Sequence, residues 1–173
     1  FIHTDAFFQP VGPFHSTIYY PFREMTIKTF IRNLTPGPVL SGYHWLLAQL
    51  ANIIYGRPSE KMIVIGITGT SGKSTTCEIL WTLLTKTGHT TGLASGIRFD
   101  DGRQSQPNNT KMTMVGRFRL QRLLRQMVNN GCSYAIIEVT SLGISQFRHL
   151  GINFDLVLLT NFWSEHDTAH GGL

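Results

Sequence analysis

Residues 66–76 read G-I-T-G-T-S-G-K-S-T-T, a spacing of small, basic and hydroxyl residues that suits phosphate chemistry. A glycine-rich turn lets backbone N–H groups face an anion. A helix opening directly after it adds partial positive charge at its N-terminus. Lys73 is placed to reach the β- and γ-phosphates of a nucleotide, and the Ser74 hydroxyl to ligate magnesium. Gly69, Thr70, Ser71, Gly72, Lys73, Ser74 and Thr75 are therefore the expected nucleotide-binding residues. The bland alternative, a strand-to-helix turn without a ligand, accounts poorly for G-K-S-T in that context.

A second chemical residue stands at the end of the apolar run Y-A-I-I-E, where Glu138 follows four residues that expect burial. An unpaired carboxylate is costly to bury there, so metal coordination is a natural account of it. A plain surface carboxylate is the alternative. The glycine-rich turn, Glu138 and residues 161–166 each fall at or just past the carboxyl end of an expected strand. In open α/β sheets that edge is where ligands bind. His166 lies in the last of these segments, with a solvated loop histidine as its alternative, and His170 is a weaker candidate of the same kind.

The elements that must position these residues alternate in type. Residues 62–68 are a continuous, β-branched-rich run, as expected of a strand buried on both faces; 134–139 and 154–160 read as further buried strands, and 90–97 as a short one. Residues 73–87 read as a helix stopped by Gly88. Residues 116–130 read as an amphipathic one stopped by Gly131, with Phe118, Leu120, Leu123, Leu124, Met127 and Val128 inward and the arginines solvated. The polar stretch 100–109 reads as a loop. The fold class is α/β, a P-loop-containing parallel sheet flanked by helices. The chain divides into an irregular extension over 1–24, a helical segment over 25–60 and the ATP-binding domain over 61–173. Residues 1–24 mix aromatics, histidines and prolines without a period, so Met25 reads as the natural start; a binding arm is the alternative.

Composition narrows the class further. The 173 residues are 42% hydrophobic and 14% charged, which favours a packed core over disorder. A net charge of +5 suits phosphate-bearing ligands, but no block of Lys and Arg marks a nucleic-acid patch. Cys77 and Cys132 have no motif partner, so both read as packing residues in a reducing cytoplasm. No signal peptide is visible at the N-terminus. The apolar stretch 39–55 carries His44, Gln49 and Asn52 and is short for a transmembrane segment. A buried or partner-facing helix is expected there, with an interfacial membrane helix as the alternative.

The general P-loop pattern puts a glycine where this chain has Ile67. The T-G-T-x-G-K-[ST]-T form found here instead resembles the Mur ligases and their relatives, the folylpolyglutamate and cyanophycin synthetases. The segment 136–141, I-I-E-V-T-S, is similar to the family's E-V-S-S. Phe154-Asp155 with Thr160-Asn161 resembles its F-D…T-N strand, and Glu165-His166 with His170-Gly171 its D-H-x-D-x-H-G run. Residues 110–116 stand where the family carries a T-T-P substrate loop. The resemblance, closest to the UDP-N-acetylmuramyl-tripeptide synthetases, covers roughly residues 62–172.

That resemblance implies an ATP-dependent acid–amino acid ligase of peptidoglycan precursor synthesis, with the family's central-domain fold. ATP would phosphorylate a carboxylate of a UDP-N-acetylmuramyl-peptide, and the amine of an amino acid would displace phosphate. Lys73, Glu138 and His166 become the expected catalytic residues. Ser74 with Glu138 would hold one magnesium and His166 a second. Asn161 joins the nucleotide site, and Thr113, Ser141 and Arg148 become substrate contacts. Several positions depart from the pattern: Met114 and Val115 replace a threonine and a proline, Leu142 a histidine, and Thr168 an acid. Family members also continue past the H-G segment, so the chain reads as an incomplete central domain that binds ATP without turning over alone. The rivals are a folylpolyglutamate- or cyanophycin-synthetase-like ligase and a catalytically dead nucleotide-binding module. Ser74-Thr75-Thr76, where the folate enzymes carry Gly-Ser after the lysine, favours the Mur side.

Overall fold

A computed structural model describes residues 37–162 of the chain, with side chains from residue 42 onward. The elements run α1 (Gly37–Ile54), a 3-10 turn (Pro58–Lys61), β1 (Ile63–Thr68), α2 (Lys73–Lys86), β2 (Thr91–Ala94), β3 (Arg98–Asp100), β4 (Ser105–Pro107), α3 (Arg117–Asn129), β5 (Tyr134–Glu138), α4 (Ser141–Ser145) and β6 (Leu156–Leu159). The strands form one six-stranded sheet in the order β4-β3-β2-β5-β1-β6. β2, β5, β1 and β6 are mutually parallel, as the alternating pattern requires.

Strand parity assigns each residue to a layer, because successive side chains point to opposite faces. Val64 on β1 and Ala135 and Ile137 on β5 pack with Leu120, Leu124 and Met127 of α3. Ile67, Leu93 and Ile136 point the other way and pack with Cys77 of α2. Glu138 shares the parity of Ile136, so β5 delivers its carboxylate to the face that carries α2. Truncating a fully buried residue such as Leu124 or Ile136 to alanine would cost about 2–5 kcal/mol.

Three expectations are corrected. β6 forms within 154–160 but is not buried on both faces: it is an edge strand of the described sheet, and Leu156, Val157 and Leu159 are exposed. The polar stretch 100–109 is not a plain loop: β3 and β4 pair antiparallel there, extending the parallel sheet at its β2 edge. Arg98, with its polar neighbours, hides this hairpin from a reading by hydrophobicity. Its guanidinium binds both oxygens of Glu78 on α2 and reaches Asp100 at 2.8 Å, over the Trp81 ring.

The face of α3 also differs from its expected composition. Phe118 is exposed, and Gln121 is buried instead, donating to the Gly151 carbonyl at 2.7 Å. Arg117 is not a solvated arginine, since its Nη2 lies 3.0 Å from His44 Nδ1 on α1 and 3.1 Å from the Gln146 carbonyl. Burial, then the charge of Arg117, holds His44 below its ordinary pKa. Because a guanidinium can only donate, Nδ1 is the acceptor in this contact.

α1 buries Ala48 and Ala51, while Tyr43, Trp45, Leu46, Leu50, Ile53 and Ile54 are exposed. Burial of the whole helix, one of the two expected outcomes, is therefore absent among the described residues. No helix among those residues is long and apolar enough to cross a membrane. The expected extension over 1–24 lies outside the described residues.

Candidate functional site

The loop between β1 and α2 is built on one backbone requirement. Gly69 adopts φ +138°, and a Cβ there would collide with the Thr160 hydroxyl and the Asn161 backbone. The collision follows from sheet order: β6 lies beside β1 in parallel register, so residues 160 and 161 emerge under the loop. Thr160 Oγ1 donates to the Thr68 and Ser71 carbonyls, at 3.2 and 2.7 Å. Asn161 Oδ1 accepts from the backbone N–H groups of Thr70 (3.1 Å) and Ser71 (3.0 Å), and Nδ2 donates to Ser71 Oγ at 2.9 Å. Two successive N–H groups converging on one oxygen is the geometry by which backbone nests hold anions.

Gly66 has a different task from the other motif glycines. A Cβ at Gly66 would stand 2.9 Å from the Phe154 ring, so that glycine admits Phe154 to the core and lies away from the loop. Gly72, at φ +77°, caps α2, which then begins at Lys73. Lys73 Nζ folds back to donate to the Gly69 and Thr70 carbonyls, at 2.7 and 2.9 Å. Ser74 follows on the side facing the sheet, and Thr75 is exposed.

Glu138 is 2% exposed. Its carboxylate is paired by neutral donors: Ser74 Oγ lies 3.0 and 2.9 Å from its two oxygens, and the Gly96 N–H donates to Oε2 at 2.7 Å. The Gly96 amide is a contributor that sequence reasoning missed, because a backbone donor leaves no side-chain signature. Below the pair, burial and then the charges of Glu138 and Glu78 push the Cys77 thiol up to about 12. Cys77 is thus an inert packing residue, as its isolation in the sequence implied.

The donor set suits a hard cation. Glu138 and Ser74 offer oxygen only, and magnesium takes one or two protein oxygens while keeping waters and phosphate oxygens. Among the described residues no three His, Cys, Asp or Glu side chains gather to form a closed metal cage.

Thr113 stands beside this centre, its Cγ2 3.1 Å from where a Cβ on Gly96 would lie; that same position is 3.4 Å from Glu138 Oε2. Arg148 donates to the Met114 carbonyl and so grips the same loop from the other side. Ser141 opens α4 at the surface, after Thr140, whose hydroxyl accepts from the Gly143 N–H at 3.0 Å. Met114 and Val115, two departures from the family pattern, are core residues at 2% and 1% exposure. Asp155 is structural: its carboxylate accepts from the Val64 N–H at 2.7 Å and pins β6 to β1. Glu165, His166, Thr168 and His170 lie outside the described residues.

The family model described as the Mur ligase middle domain matches residues 67–173. A UDP-N-acetylmuramoyl-L-alanyl-D-glutamate–2,6-diaminopimelate ligase of Geobacillus kaustophilus is 36% identical over 138 residues, covering 79% of this chain and 27% of the relative. A UDP-N-acetylmuramyl-tripeptide synthetase of a Roseiflexus species is 39% identical over 127 residues, covering 72% and 25%. The chain thus spans about a quarter of the length of these relatives. A solved structure of a UDP-N-acetylmuramoyl-L-alanyl-D-glutamate–2,6-diaminopimelate ligase superposes with a TM-score of 0.53 at 24% identity, over 61% of this chain and 21% of that one. At that identity the likeness supports the fold.

Proposed function

The chain belongs to the Mur ligase family, and we propose that it is the nucleotide-binding part of an ATP-dependent ligase joining an amino acid to a UDP-N-acetylmuramyl-peptide in the cytoplasm. One observation carries the reading. A glycine-rich loop and a buried carboxylate–hydroxyl pair meet at the carboxyl edge of a parallel sheet, on the two strands β1 and β5 that neighbour each other.

In the proposed reaction a substrate carboxylate oxygen forms a bond to the γ-phosphorus of ATP while the β–γ P–O bond breaks and ADP leaves. The amine nitrogen of the amino acid then attacks the acyl carbon, phosphate departs, and the nitrogen loses a proton. Phosphoryl transfer of this kind needs charge neutralisation and alignment more than covalent help. Lys73 supplies a positive charge to the β- and γ-phosphate oxygens once it leaves the Gly69 and Thr70 carbonyls. Ser74 and Glu138 would hold magnesium, which offsets the negative charge on the phosphoryl oxygens. Thr113, Ser141 and Arg148 would hold the peptide, and His166 a second magnesium, in line with the family resemblance. Asn161 serves the nucleotide by shaping the loop from beneath.

The test is calorimetric titration of the chain with Mg-ATP, and again with ATP in EDTA. Saturable binding that tightens with magnesium is expected. No binding under either condition would remove the nucleotide from the reading. Mass spectrometry of a mixture of chain, Mg-ATP, UDP-N-acetylmuramyl-dipeptide and amino acids separates binding from amide formation.

A further inference from the structure

Glu138 is held by a peptide group that is itself held. The peptide between Ser95 and Gly96 donates its N–H to Glu138 Oε2 at 2.7 Å, and its carbonyl oxygen accepts from Asn108 Nδ2 at 2.8 Å. A trans peptide is planar, so fixing the direction of its C=O fixes the direction of its N–H. A donor on the carbonyl also polarises the N–H and strengthens what it gives. The turn has further support from Ser95, 0% exposed, whose Oγ accepts from the N–H groups of Ile97 and Arg98.

Asn108 reaches the other way as well. Nδ2 also donates to the Met112 carbonyl at 3.0 Å, and Oδ1 accepts from the Thr110 N–H and hydroxyl, at 3.1 and 2.6 Å. Its own backbone N–H donates to the Ile97 carbonyl at 2.9 Å. One side-chain amide therefore joins the turn that grips Glu138 to the loop that carries Thr113. Between the two, Gly96 packs closely: an added Cβ would stand 3.1 Å from Thr113 Cγ2 and 3.4 Å from Glu138 Oε2.

We propose that Asn108 is a positioning residue that aims the Glu138 carboxylate through the Ser95–Gly96 peptide and links that aim to the substrate loop. The proposal rests on the magnesium–nucleotide reading of the Ser74–Glu138 pair. Asn108 touches neither the glycine-rich loop nor Glu138 directly, so its loss reaches the nucleotide site through the carboxylate, besides loosening the 110–112 turn that it also holds. Nucleotide held by the loop without metal is untouched.

The experiment compares the full chain with Asn108→Ala in two measurements. In the first, amide exchange and the proton shift of Gly96 are followed by NMR without nucleotide. Exchange at Gly96 should quicken by about tenfold or more, since a peptide no longer held at its carbonyl lets its N–H open more often from Glu138. In the second, affinity for Mg-ATP should fall about fivefold while affinity for ATP in EDTA stays unchanged. An unaltered Gly96 amide would overturn the link from Asn108 to Glu138. An equal fall with and without magnesium would overturn the positioning role and leave a general structural one. If the unaltered chain binds no Mg-ATP, the nucleotide reading falls, and the Gly96 amide alone decides whether Asn108 aims the carboxylate.

Discussion

The Ser74 hydroxyl sits between both oxygens of Glu138, 3.0 and 2.9 Å away, although the two residues are 64 positions apart in the chain. Parity on β5 and the start of α2 at Lys73 bring them together, and the Gly96 N–H completes the set. Among the described residues no cationic side chain is hydrogen-bonded to the carboxylate, whose donors there are a hydroxyl and an amide. A buried charge served by neutral donors alone costs stability.

Glu138→Gln should therefore separate stability from binding. The amide keeps the shape, accepts from Gly96 and donates to Ser74, but removes the buried charge. The melting temperature is expected to hold or rise by a few degrees, following a gain of about 1 kcal/mol. Mg-ATP affinity should fall by about tenfold or more, about 1.4 kcal/mol. Differential scanning fluorimetry and calorimetry read the two effects, and a large drop in melting temperature would mean that the charge stabilises the fold.

Lys73→Ala should weaken Mg-ATP binding by about tenfold or more, about 1.4 kcal/mol, with an unchanged far-UV spectrum. The ammonium makes hydrogen bonds to the Gly69 and Thr70 carbonyls, so removing it leaves helix and sheet intact. Equal ATP affinity in the two proteins would take the loop lysine out of the mechanism.

Asn161 offers a sharper contrast. Asn161→Ala deletes the oxygen that receives two loop N–H groups and should cost about 1–3 kcal/mol of stability. Asn161→Asp retains that oxygen and should melt near the parent temperature. It adds a negative charge beneath the loop, so its ATP affinity should fall about tenfold through repulsion of phosphate. Unchanged ATP affinity in the aspartate variant would show that the nucleotide does not approach this part of the loop.

What the sequence made legible follows from which physics leaves a local trace. Apolar runs marked β1 and β5, because strands covered on both faces have no polar alternation to lose; β6 carries the same signature although Leu156, Val157 and Leu159 are exposed among the described residues. The glycine-rich loop and the burial of Glu138 were legible from residue type and position. The β3–β4 hairpin was not, because Arg98, Asp100 and Ser105 satisfy one another by charge and hydrogen bonds, which a hydrophobicity pattern does not record. Asn108 and the Gly96 amide were equally silent. Their roles depend on a peptide plane and on distances across the fold, and neither has a spacing rule. Arg117 looked solvated because its periodicity on α3 says nothing of α1, which arrives to meet it through His44.

Alkaline pH provides the last test, through the two buried thiols. Burial, then Glu138 and Glu78, push Cys77 up to about 12; burial, then Asp100 and Asp101, push Cys132 up to about 11. In the unfolded chain both titrate near about 8.5. Above that value the unfolded state sheds protons that the folded state keeps, so stability falls as pH rises from about 9 through 11 and 12. Below it both states hold the protons and the thiols contribute no slope. The urea midpoint should accordingly be level between pH 7 and 8 and decline above pH 9, less steeply in Cys77→Ala than in the parent chain. Lysines and tyrosines titrate in the same range, so the difference between the two proteins is the quantity that reports on Cys77. Identical slopes would show that the thiol ionises in the folded protein as readily as in water, which its packing against Ile67, Leu93 and Ile136 should forbid.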